Sequence, residues 1–258
     1  MTRNWAVDKF MRMNGFEPPM ARTSSPWVEK LQALLEVLLL SGIMSSLIAA
    51  LPFYVLLGDA SDLTGDAQII TSYMMLEASI TVLFLIVILK LRKDDPSSCG
   101  IRFKNWRRDS FVGLSVVPIL FAANLLISLL FRALLPEYFL DHNPLTDVIR
   151  TPRDLGLLVV TALIGGGIKE ELQRAFILNR FQQHLGGAAA GLILWSIAFG
   201  AGHYIQGAQG MVAAGFYGLI FGIVYLARGS LVAPMVAHGT YNTLAVLGYW
   251  FFEKAAGS

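Results

Sequence analysis

The sequence predicts an all-α fold, a polytopic membrane helix bundle of about seven or eight helices forming a single membrane domain over residues 1–258. Three observations carry this. Hydrophobic residues make up 55% of the 258 and charged residues only 15%, against about 25% charged in soluble domains. Mean hydropathy is +0.59. Apolar runs of about 20 residues, the length that crosses a bilayer, recur along the chain, and lysines and arginines gather in alternate connections between them.

Residues 1–30 read as a cytoplasmic or interfacial arm. They lack the apolar core of a secretory signal. Trp5, Phe10, Met11 and Met13 among scattered charges suit either a short helix lying at the membrane surface or a plain disordered tail. Three N-terminal spans follow within 31–135, at about 31–57, 69–91 and 111–135. The fourth segment begins near Leu155 and is expected to run as one long helix to His184. The fifth, sixth and seventh cover about 187–205, 210–227 and 231–252. These last segments, within 155–252, are less apolar and richer in glycine, which predicts packing inside a bundle. Ala214, Gly218 and Gly222 recur every four residues on one face of the sixth, and Gly187 and Gly191 do so at the start of the fifth. Small residues at this spacing let helices approach closely.

Orientation follows the basic residues. The arm carries Arg3, Lys9, Arg12, Arg22 and Lys30. The connection after the second span carries Lys90, Arg92, Lys93, Arg102, Lys104, Arg107 and Arg108. The connection after the first has Asp59, Asp62 and Asp66 and no basic residue. The expectation is an integral, multi-pass protein with a cytoplasmic N-terminus. A formal charge of +2 points away from nucleic acid. Cys99 is the one cysteine, which excludes an intrachain disulfide, and its polar, basic flanks suit a reduced cytoplasmic loop. No sequence feature fixes an oligomeric state. His142 and His184 are read as loop residues without a role.

Ionisable groups within a span are costly and are functional suspects. Three sets stand out. In "GGGIKEELQRAF" (165–176), Glu170 and Glu171 lie one turn from Arg174, which can hold one carboxylate and leave the other free. In "AFGAGHY", Phe199 and His203 are four apart. In "MVAHGTYN", His238 and Asn242 are four apart and share a helix face. With a turn near 184–187, Glu170 and His203 lie at depths of about 21 and 25 Å. His238 is expected to be shallower unless the connection before its helix dips into the bundle.

A carboxylate beside histidines suggests an activated water. The glutamate would take a proton from water that a histidine orients. His238 and Asn242 would stabilise the oxyanion formed when water adds to a carbonyl. An alternative chemistry binds Zn²⁺ through Glu170, His203 and His238, although the H-E-x-x-H spacing is absent. No serine or cysteine is placed as a nucleophile beside a base.

The three motifs "EELQR" (170–174), "FGAGH" (199–203) and "HGTYN" (238–242), in this order, resemble those of the type II CAAX prenyl endopeptidases and their prokaryotic relatives. That group is the CPBP or Abi family of glutamic intramembrane proteases. The resemblance covers about residues 155–250. It implies Glu170 and His203 as the groups that activate water, His238 and Asn242 as the oxyanion site, and Arg174 as the holder of the partner glutamate, with Phe199 in support. It also implies a bilayer setting, a membrane-associated protein or peptide substrate and no required cofactor. One departure stands out. The family pattern is E-E-x-x-x-R, whereas Glu170 and Arg174 are four apart. Anchored on Arg174, Lys169 falls where the base belongs, which would make the chain a non-catalytic peptide-binding scaffold or immunity protein. Anchored on the glutamate pair, Glu170 is the base and the helix needs a locally wide turn, such as a π-bulge near the "GGG". The choice between Glu170 and Glu171 stays open.

Overall fold

The computed structural model describes residues 25–57 and 65–254. The arm around Trp5 to Met13, read as a surface helix or a tail, and Asp59 and Asp62 lie outside them. Among the described residues the chain is helical with no strand.

Helices α1 (Pro26–Leu40) and α2 (Ile43–Leu57) together make the first span. The sequence predicted one uninterrupted segment from residue 31. Instead it starts earlier and breaks at Ser41–Gly42, where Gly42 takes φ +93°, a conformation glycine adopts readily. Pro26 opens α1, where its missing N–H costs nothing. Helix α3 (Ala67–Arg92) is capped by the Asp66 carboxylate, which accepts from the Gln68 and Ile69 amides at 2.8 and 3.1 Å. Helix α4 (Trp106–Leu134) carries Pro118 inside it. By length and composition, residues 26–56, 67–92, 106–134 and 204–228 can each cross a membrane.

The fourth segment is continuous from residue 152 to 184, as predicted. It comprises α5 (Pro152–Thr161), a π-helical stretch at Ala162–Glu170, and α6 (Glu171–His184). A capping box starts it: the Thr151 hydroxyl accepts from the Asp154 amide, and the Asp154 carboxylate accepts from the Thr151 amide. Helices α7 (Ala188–Gly202), α8 (Gly207–Arg228) and α9 (Val232–Gly248) complete the bundle, and a π turn at Tyr249–Lys254 follows.

Helix α6 is the buried axis, with Glu171 and every residue from Gln173 to Arg180 buried. The small face of α8 packs on α7 as expected. A Cβ on Gly218 would sit 3.3 Å from the Ser196 backbone, and one on Gly222 would collide with the Leu192 side chain. Ala214 packs into the core cluster that holds Phe199 and Trp195. The predicted Gly187–Gly191 pair divides. Gly191 lies against Phe181, but Gly187 serves the turn before α7 with φ +101°.

Two further expectations are sharpened and one, for His184, is corrected. Helix α9 begins inside the bundle, since a Cβ on Gly113, two turns into α4, would collide with the Ala233 carbonyl. The connection does dip, and this lowers His238 to the level of the other motifs. His184 ends α6 with Nδ1 3.9 Å from Glu29 and is not in a loop. Cys99 lies in a connection but is fully buried, and that burial pushes its thiol above the usual cysteine range.

Candidate active site

The three motifs meet at one cavity of about 630 Å³, whose wall includes Gly166, Glu170, Phe199, His203, His238 and Asn242. That volume suits a small ligand or a short length of peptide. The π stretch sets which side chains reach it. Thr161, Ala162, Gly166 and Glu170 all line the cavity, a stripe advancing by about four residues per wide turn. Two glycines let the stretch press against α9. A Cβ on Gly166 would meet the Asn242 amide nitrogen at 2.5 Å and His238 Nε2 at 3.2 Å, and one on Gly167 would lie 3.0 Å from the Gly239 Cα. The "GGG" therefore brings the helix backbone up to the "HGTYN" motif.

Lys169 is absent from the cavity wall. Its Nζ is 2.7 Å from the Glu77 carboxylate of α3. Glu77 also accepts from the Ser45 hydroxyl at 2.8 Å and the Thr81 hydroxyl at 3.0 Å. The lysine is thus paired in a separate buried polar cluster between α2, α3 and the π stretch.

The two glutamates differ in surroundings. Glu171 is buried, ion-paired to Arg174, and accepts from His238 Nδ1 at 2.7 Å. The Arg174 guanidinium lies over the Phe199 ring at 4.8 Å and over Phe221 at 5.4 Å, which offsets part of the cost of burying its charge. Glu170 makes no hydrogen bond to a described residue. Its carboxylate is partly exposed to the cavity, with His238 Nε2 3.7 Å away.

Hydrogen bonding also orients both histidines. His203 follows the end of α7, and its Nδ1 is 2.7 Å from the Phe199 carbonyl. A carbonyl only accepts, so Nδ1 carries the proton and Nε2 is the nitrogen left for the cavity. His238 Nδ1 likewise donates to Glu171, and its ring stacks on Phe221 at 4.5 Å. The Asn242 amide has no hydrogen-bond partner among the described residues, so its donors face the cavity uncommitted. Phe199 acts as a platform, its ring 4.5 Å from that of His203.

Several neighbours were not legible in the motifs. Phe221 supports both Arg174 and His238. Glu77 takes Lys169. Tyr241 lies within "HGTYN" and pairs with the Tyr217 hydroxyl at 2.8 Å, and Tyr217 donates to Asn124 at 2.9 Å. The signal available for Asn124 was its position as an amide inside an apolar span. Among the described residues, no group of three His, Cys, Asp or Glu side chains is arranged to hold a metal ion. Glu170, His203 and His238 share the cavity wall.

The fold and this cavity define a class, a polytopic helical membrane protein with carboxylate, imidazole and amide groups gathered inside the bundle. Residues 152–244 match the family model described as "Rce1-like: Type II CAAX prenyl endopeptidase Rce1-like", so this part of the chain, which carries all three motifs, is similar to that family. No curated protein and no solved structure matches the chain.

Proposed function

We propose that the protein is an intramembrane endopeptidase that hydrolyses a peptide bond of a membrane-associated protein or peptide with water activated by Glu170. The observation that carries this is the convergence of Glu170, His203, His238 and Asn242 on one cavity while Lys169 is turned away to Glu77.

Glu170 is the uncommitted carboxylate and acts as general base. His203 Nε2 accepts a hydrogen from the same water and fixes its direction. As water attacks the substrate carbonyl, the proton passes to Glu170 and negative charge builds on the carbonyl oxygen. The Asn242 amide donates to that oxyanion. His238 joins it when its ring is charged, because its Nδ1–H is already given to Glu171 and Nε2 bears hydrogen only in the cationic form. Glu170, now protonated, delivers the proton to the leaving amine. Glu171 and Arg174 hold His238 in place and contribute no proton.

A zinc protease on Glu170, His203 and His238 is the reading that chelation separates from this one, since it alone requires a bound ion. A non-catalytic scaffold drew its support from Lys169 as the replacement for the base, and the Glu77 pairing gives the lysine a structural task. The test is Glu170→Gln in purified protein against a membrane-embedded substrate. Cleavage should be lost with folding intact and should survive chelation in the unaltered protein. Retained cleavage in the variant would refute the assignment.

A further inference from the structure

Among the described residues the cavity runs away from Glu170 in one direction only. Beyond the reactive groups its wall continues through Asn124 and Ser128 of α4 and Gln206 and Gln209 beside α8. It then reaches Asp141, His142 and Asn143 of the connection between α4 and α5. These three connection residues are exposed, so they form a mouth. No wall residue comes from 93–105, 185–187 or 229–231, the connections at the opposite end of the bundle. Toward that end α6 continues through Glu171 and Arg174, both buried.

The two ends differ in charge. Lys90, Lys93, Arg102, Lys104, Arg107 and Arg108 all lie at the closed end, at the foot of α3 and the head of α4. The mouth end carries Arg132, Arg150, Arg153 and, in the turn after α9, Lys254. Of these, Arg150 reaches the Gly65 carbonyl and Arg153 the Gln68 side chain. Basic connections stay in the cytoplasm. The closed end is therefore the cytoplasmic one, and the mouth faces the other way.

We infer that the catalytic cavity is entered from the extracytoplasmic face, and that its substrate is a polypeptide segment delivered from that side of the bilayer, not a tail anchored at the cytoplasmic face. This rests on the proposed catalytic reading for the word substrate, but the direction of access stands on the cavity and the charges alone. The chemistry of the passage fits a peptide backbone. Gln206 bonds Asn143 at 3.1 Å, and Gln209 bonds the Leu140 amide at 3.1 Å and Ser128 at 3.0 Å. Such amide groups can exchange these partners for the N–H and C=O groups of an extended chain.

The test uses the full chain with Cys99→Ala, which removes the single native thiol. Single cysteines are placed by Asp141→Cys at the mouth, Ser128→Cys in the passage and Lys104→Cys at the basic end. Each protein is exposed to a small, membrane-impermeant cationic methanethiosulfonate in right-side-out spheroplasts and in inverted vesicles. The expected result is modification of the Asp141→Cys and Ser128→Cys proteins in spheroplasts, and of Lys104→Cys only in inverted vesicles. Labelling of Lys104→Cys in spheroplasts would reverse the orientation and overturn the inference. So would a Ser128→Cys protein that reacts only in inverted vesicles, or in neither while Asp141→Cys reacts. Thiol labelling needs no turnover, so the same pattern should appear with Glu170→Gln added. Failure of the catalytic reading and failure of this one are therefore separate results.

Discussion

The span from residue 106 to 134 and the helix from 152 to 184 are of similar length but opposite character. The first turns Leu114, Leu125, Leu126, Leu129 and Leu130 outward, where lipid takes the place of a protein core. The second buries Glu171, Arg174 and Arg180 at the centre of the bundle. The helix from 152 to 184 is absent from the segments apolar enough to be recognised as spans. The difference teaches that in a membrane bundle hydropathy reports contact with lipid. A helix surrounded by other helices is released from that requirement, and polar chemistry concentrates there.

The contrast can be tested from either side. The largest effect should follow His203→Ala. Loss of the group proposed to direct the water should lower kcat about 10²- to 10⁴-fold, measured on purified protein. The fold should be kept, because the ring bonds only the carbonyl of its own helix. Next, Asn242→Ala should lower kcat about 10²- to 10³-fold with KM little changed, the signature of a donor used in the transition state. Lys169→Met should act on stability, since it leaves the Glu77 charge buried without its partner. A loss of about 3–5 kcal/mol is expected in denaturant unfolding in detergent, with much of it recovered in the double variant Lys169→Met, Glu77→Met. The smallest effect belongs to the lipid-facing wall. Leu125→Ala, 61% exposed in the bundle, should change stability by no more than about 0.5 kcal/mol.

Much of this was legible in the sequence because its causes are local. Apolar run length gave the helix positions, and four-residue spacings placed Phe199 with His203 and His238 with Asn242. The glycines before Glu170 marked the helix as irregular, and the π stretch is the form that irregularity takes. What was not legible depends on distant packing. The partner of Lys169 lies 92 positions away on α3, and no local pattern names it. The depth of His238 was left conditional because the start of α9 inside the bundle depends on its close approach to Gly113 of α4. Phe221 looked like any apolar residue of α8. The break at Gly42 shows the reverse error, a run apolar enough to read as one helix that a single glycine interrupts.

The central claim is a division of labour between adjacent carboxylates, Glu170 facing the cavity and Glu171 held by Arg174 and His238. One paired measurement tests it most directly: Glu170→Gln and Glu171→Gln, each assayed for kcat and for unfolding free energy in the same detergent. The expected result is that Glu170→Gln unfolds like the unaltered protein and has lost cleavage, while Glu171→Gln is destabilised by about 3–5 kcal/mol through its stranded arginine. A Glu170→Gln protein that still cleaves, beside a Glu171→Gln protein that is fully stable and inactive, would contradict the assignment.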